Sequence, residues 1–112
     1  MSVVNEVDWV TLLSAVVATG ASPWLAVDGA IGSSTVVELT FAGTATVTFQ
    51  GTLDGVTANT IQAERLDTGN FAGTASASAL YRIETAGMNA VRANVTVWSS
   101  GAVTAKAASQ AG

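Results

Sequence analysis

Apolar and polar residues alternate with a period of two along much of this chain. The most informative run spans residues 44–50, where Ala45, Val47 and Phe49 are interleaved with Thr44, Thr46, Thr48 and Gln50. A β-strand turns successive side chains to opposite faces, so this run predicts a strand with one apolar and one hydroxyl-rich face. The Gly51 to Gly55 cluster then ends it in a tight turn. The same rhythm predicts strands at 35–41, with Val37, Leu39 and Phe41 inward, and at 60–66, with Ile61 and Ala63 inward. It predicts further strands at 79–85 (Tyr81 and Ile83 inward), 91–98 (Val91, Ala93, Val95 and Val97 inward) and 103–107. Ala42-Gly43 is short enough to join 35–41 and 44–50 as a hairpin.

The N-terminal quarter is less regular. Residues 10–18 are apolar on both parities, Leu12 and Val16 against Leu13 and Val17. Periodicity alone leaves a doubly buried strand or a short helix open, and the β-branched content with the Gly20 to Pro23 breaker favours the strand. Residues 23–27 form a second short strand, with Leu25 and Val27 on one face and Trp24 and Ala26 on the other. Residues 67–77 read as a loop pinned by Phe71, and residues 109–112 as a tail that frays. About eight short strands with regular turn signals predict an all-β, antiparallel β-sandwich, jelly-roll-like or immunoglobulin-like. The chain divides into an N-terminal arm or first strand at 1–22, the sandwich proper at 23–108 and the tail at 109–112, within one domain.

Composition narrows the chemistry. Among 112 residues there is no histidine and no cysteine. Disulfides, thiolate chemistry and zinc or copper sites built on those ligands are excluded, and the commonest base at neutral pH is absent. Asp54 is the one carboxylate in a special setting, and Asp-Gly closes a turn without any catalytic or calcium role. Glu64 and Asp67 flank Arg65 as solvated charge, and Asn94-Val95-Thr96 is a chance match to a glycosylation sequon in mid-strand. No catalytic constellation, cofactor or metal is expected, and the protein reads as no enzyme.

Net charge is -4 and the only basic residues are Arg65, Arg82, Arg92 and Lys106, which is no footprint for nucleic acid. The apolar run at 10–18 is interrupted by Thr11 and Ser14 and falls short of the ~20 residues of a membrane span. The acidic start lacks a secretory n-region, so the expectation is synthesis in the cytoplasm with no membrane partner. Charged residues are 11% of the chain, against roughly 25% in an ordinary soluble domain. With 49% hydrophobic residues, this predicts that neighbouring subunits cover much of the surface. The candidate contact residues are Trp9, Leu12, Leu13, Val16 and Val17 in the two-sided N-terminal segment, with Trp24 and Trp98. Trp98 falls on the polar parity of its strand, where core edge, subunit contact and sugar platform all remain open.

Residues 41–55, Phe-Ala-Gly-Thr-Ala-Thr-Val-Thr-Phe-Gln-Gly-Thr-Leu-Asp-Gly, resemble a pattern in small virion proteins of tailed bacteriophages. There a valine- and threonine-rich strand runs into a Gly-Ser/Thr-Leu-Asp-Gly turn. Residues 81–96, an aromatic strand, a glycine turn and an Arg-bearing strand, are similar to the other half of that pattern. The resemblance implies a structural β-sandwich, of the capsid decoration (cement) type, that binds the major capsid protein outside the head and assembles as a homotrimer. It places the protein on the virion, and in the host cytoplasm during assembly. A carbohydrate-binding or adhesin module and a tail or head-fibre component are the alternatives on the same fold.

Overall fold

A computed structural model describes residues 9–27, 29 and 32–110. Among these described residues it forms twelve strands in two antiparallel sheets. In chain order these are β1 (Val10–Val16), β2 (Gly20–Ala21), β3 (Leu25–Ala26), β4 (Ser34–Phe41), β5 (Ala45–Thr52) and β6 (Asn59–Thr60). There follow β7 (Ala63–Arg65), β8 (Phe71–Ala72), β9 (Thr74–Ala75), β10 (Ala79–Glu84), β11 (Ala90–Trp98) and β12 (Val103–Gln110). The first sheet has the order β1-β12-β4-β10-β7-β8, and the second β2-β11-β5-β6 with β3 on β11 and β9 on β5. The expected sandwich is therefore present.

The alternating residues fill the space between the sheets. Val37, Leu39, Tyr81, Ile83, Val103 and Ala105 from the first sheet meet Val47, Phe49, Val91, Ala93 and Val95 from the second. The Phe49 and Tyr81 rings pack across the core with centroids 5.3 Å apart and tilted by 47°, a favourable aromatic arrangement. The Tyr81 hydroxyl leaves the apolar interior to donate to the Ala77 carbonyl at 2.7 Å, so its one polar atom is satisfied. Ser33 and Thr85 satisfy each other in the same way at 2.9 Å.

Several sequence expectations change. Strands β4 and β5 are not a hairpin: β4 pairs with β12 and β10 in one sheet, β5 with β11 in the other. The Ala42-Gly43 link instead crosses between sheets, alongside the second crossing at Ser99 to Gly101. Thr44 N–H donates to the Ser100 carbonyl at 2.9 Å, and Ser99 N–H donates back to the Thr44 carbonyl at 2.9 Å. A Cβ on Gly43 would collide with Ser100 backbone, so glycine permits this close approach. Likewise the run 60–66 breaks into β6 and β7, which belong to different sheets. Residues 67–77 are no simple loop but hold β8 and β9, and Phe71 is 59% exposed and pins nothing. Ser109 and Gln110 do not fray, because β12 pairs them with Thr35 and Ser34; residues 111 and 112 lie outside the described residues.

Val97 is also not in the core. The β11–β5 register shifts between Val95 and Val97, so Val95 faces Val47 while Val97 faces Thr46 and Trp98 faces Ala45. One extra residue in a strand reverses the parity that follows it. Val97 is thereby sent outward, 53% exposed.

Candidate interaction surface

The N-terminal segment supplies most of the candidate contact residues. Strand β1 pairs with β12 on one side and forms an edge of the first sheet. Its ladder slips between Thr11 and Leu13 and again between Leu13 and Val16, and Ala15 adopts a left-handed φ of 50°. Such irregularities bend an edge away from flat strand addition. They also divide the two-sided apolar run. Leu13 is buried in the core, and Leu12 and Val16 pack partly against it. Leu13 is thus part of this chain's own core. Trp9 and Val17, each 59% exposed, and Val10 remain outside.

The three tryptophans do not converge. Trp9 lies at the β1 edge with the Lys106 Nζ 5.0 Å from its ring centroid. Trp24, just before β3, carries the Arg92 guanidinium 4.2 Å over its ring on the outer face of the second sheet. The bulge after Val95 places Trp98 on the side of Ala45, at the end of the core, where its Nε1–H donates to the Gly101 carbonyl at 2.8 Å. Trp98 therefore covers the sheet-crossing turn, and its polar parity in the sequence is undone by one inserted residue.

Asp54 organises the loop between β5 and β6. Its Oδ1 accepts from the Thr57 and Val56 backbone N–H groups at 2.7 and 2.8 Å and from the Thr52 hydroxyl at 2.9 Å, while Oδ2 accepts from the Thr57 hydroxyl at 2.9 Å. The Thr57 and Val56 amides, then the two hydroxyls, hold the carboxyl well below the usual carboxylate range. All of this is local, and it fixes the backbone so that Leu53 and Val56 project into solvent, 75% and 80% exposed. Two carboxylates at the first sheet are also engaged: Glu64 accepts from Arg82 at 3.1 Å and Asp67 from Arg65 at 2.7 Å. Among the described residues no three acidic side chains gather as a cation cage.

A shallow groove of about 380 Å³ crosses the outer face of the first sheet beside β1. Trp9, Val36, Leu80 and Ala108 give it apolar walls, and Glu38 and Lys106, opposite each other on β4 and β12, give it one charge of each sign. Val36, Leu80, Leu53 and Val56 were not singled out in the sequence. Leu80 and Val36 lie on the polar parity of their strands, and an apolar residue at an outward position is the available signal.

No protein-family model matches the sequence, and no curated protein matches it. Solved structures do share its architecture. The SPBc2 prophage-derived protein YomS superposes with a TM-score of 0.78 over 96% of this chain and 98% of its own, at 9% identity. The PBSX exported protein XepA superposes with a TM-score of 0.74 at 19% identity, over 96% of this chain and 39% of its own. This chain thus matches one portion of XepA and nearly the whole of YomS. At these identities the likeness is one of fold: the chain has the β-sandwich that YomS and part of XepA have.

Proposed function

We propose that this protein is a non-enzymatic structural component of a tailed-phage particle, of the capsid decoration type, that self-associates and braces neighbouring capsid subunits. The observation that carries the reading is the exposure of Trp9, Val10 and Val17 along the β1 edge, with Trp9 also lining the Val36–Leu80 groove. A chain with so few charges keeps such residues out of water by placing them against another subunit. Fold likeness to a prophage-derived protein over almost the whole chain supports the phage assignment. The engagement of Asp54, Glu64 and Asp67 in local structural contacts supports a role without chemistry.

The contact residues in this reading are Trp9, Val10 and Val17 with the exposed parts of Leu12 and Val16, and the assembly is a homotrimer. A second reading, favoured by the fold likeness to XepA, an exported protein, is a phage protein that acts away from the particle after release. Adding purified protein to phage heads made without it separates the two. Decoration predicts saturable co-sedimentation and a higher temperature of head disruption. A protein that stays in the supernatant at every concentration contradicts decoration and favours the second reading.

A further inference from the structure

The charges of this protein are divided unevenly between its two sheets. The parity of β4, β7, β10 and β12 puts Glu38, Glu64, Arg82, Glu84 and Lys106 on the outer face of the first sheet, where opposite signs neighbour each other. On the outer face of the second sheet, among the described residues, Arg92 is the single charge. Around it that face presents mainly neutral hydroxyls and amides: Thr46 and Gln50 from β5, Asn94 and Thr96 from β11, and Thr60 and Thr74 at the margin, with Val97 exposed toward the bulged end and Thr48 buried beneath them, its hydroxyl bonded to that of Thr96.

Arg92 is held in place by two contacts. Its Nε–H donates to Gln50 Oε1 at 2.8 Å and its guanidinium plane lies over Trp24 at 4.2 Å. No carboxylate pairs with it among the described residues, and neither Nη group donates a hydrogen bond there. Asn94, two residues along the same face, has no side-chain partner among them either. A guanidinium fixed through Nε and by stacking presents its two Nη groups as a fork matched to a carboxylate or phosphate. The cost of ordering its long side chain has already been met within the fold.

We infer that this face is a binding site for an acidic glycan, with the Arg92 fork on the anionic group and Asn94, Gln50 and the threonine hydroxyls on the sugar hydroxyls. The neighbourhood decides the class of ligand. A protein partner is anchored by large apolar or aromatic groups entering a desolvated centre, and the only aromatic group beside Arg92 is the half-buried Trp24 already stacked on it. A polyhydroxylated anion needs what the face offers: one fixed cation amid many neutral donors and acceptors. The inference is independent of whether the protein sits on a particle, because the β1 edge and groove belong to the other sheet.

Side-chain and backbone NMR of the whole chain tests it, because this readout detects weak binding at named groups. The probes are oligogalacturonate for a carboxylate, poly(glycerol phosphate) for a phosphodiester, neutral dextran and a hexaglutamate peptide. Saturable shifts are expected at Arg92 Nε–H, the Trp24 indole and the Asn94 and Gln50 amides with one or both anionic carbohydrate-type probes, and none with dextran. Whichever of the two binds more tightly identifies the anionic group. Arg92→Gln, shown to be folded by its spectrum, should weaken binding by about tenfold or more, and Arg92→Lys by less, since charge survives without the fork. Absence of saturable shifts with both anionic probes would overturn the proposal, as would equal binding by Arg92→Gln. A response to hexaglutamate alone would overturn it in favour of an acidic protein partner.

Discussion

Replacing Val95 and Val97 in turn by threonine isolates the effect of the β11 bulge. Both substitutions keep a β-branched side chain of nearly the same shape, so strand propensity is common to the two and largely cancels. Val95 is 1% exposed and faces Val47 in the core. Threonine there loses one buried methyl, about 0.8 kcal/mol, and buries a hydroxyl without a partner, about 1–3 kcal/mol in mutational series. The expected loss is about 2–4 kcal/mol, or roughly 10 °C or more in melting temperature for a domain of this size. Val97 is 53% exposed on the other side of the sheet, and threonine there should change stability by no more than about 0.5 kcal/mol. Urea and thermal denaturation of the pair, followed by circular dichroism, read the difference directly. Equal losses, or a larger loss at Val97, would refute the bulge and restore the uninterrupted alternation of the sequence.

Asp54→Asn should lower the melting temperature and speed amide exchange at Val56 and Thr57 while leaving the β5 ladder protected, because the hydrogen bonds concerned are confined to the loop. The folded-state pKa of Asp54 is depressed. Its contribution to stability is therefore complete above the ordinary aspartate value of about 3.9 and is lost as pH falls below that toward the depressed value. The gap between wild type and Asp54→Asn should be constant from neutral pH to about pH 4 and should close in stronger acid; a gap that closes at higher pH contradicts the assignment. Trp9→Ser combined with Val17→Ser should reduce solution mass toward that of one chain with little change in stability, as read by sedimentation velocity and thermal melts. An unchanged mass would remove the β1 edge from the assembly. Deleting residues 1–18 is a poorer test, because it strips β12 of one of its two partner strands and takes Leu13 out of the core.

Alternation told which side of each long strand meets the core, as Val37, Leu39, Val47, Phe49, Tyr81, Ile83 and Val95 demonstrate. It was silent on whether the next strand lies beside its predecessor or across the core from it. A two-residue link such as Ala42-Gly43 serves either arrangement, and the hairpin reading of β4 and β5 failed for that reason. The bulge at Thr96 was equally hidden, since an inserted residue changes the pairing and leaves the run Val-Thr-Val-Trp looking regular. Of the contact residues expected from the sequence, Trp9 and Val17 lie outside, Leu12 and Val16 are divided between core and surface, and Leu13 is interior. Two consecutive leucines cannot share a face in a regular strand, and only the slipped β1–β12 ladder explains how both approach the core. The Arg92–Trp24 stack required the pairing of β3 with β11, two segments separated by most of the chain.

The copy number of this chain on purified phage particles tests the structural role most directly. Quantitative mass spectrometry of gradient-purified heads, scaled to the major capsid protein, should give a fixed ratio of this chain to capsid subunits that persists through repeated banding. Particles that carry none of the chain, or an amount that falls with each round of purification, would contradict a structural place on the virion.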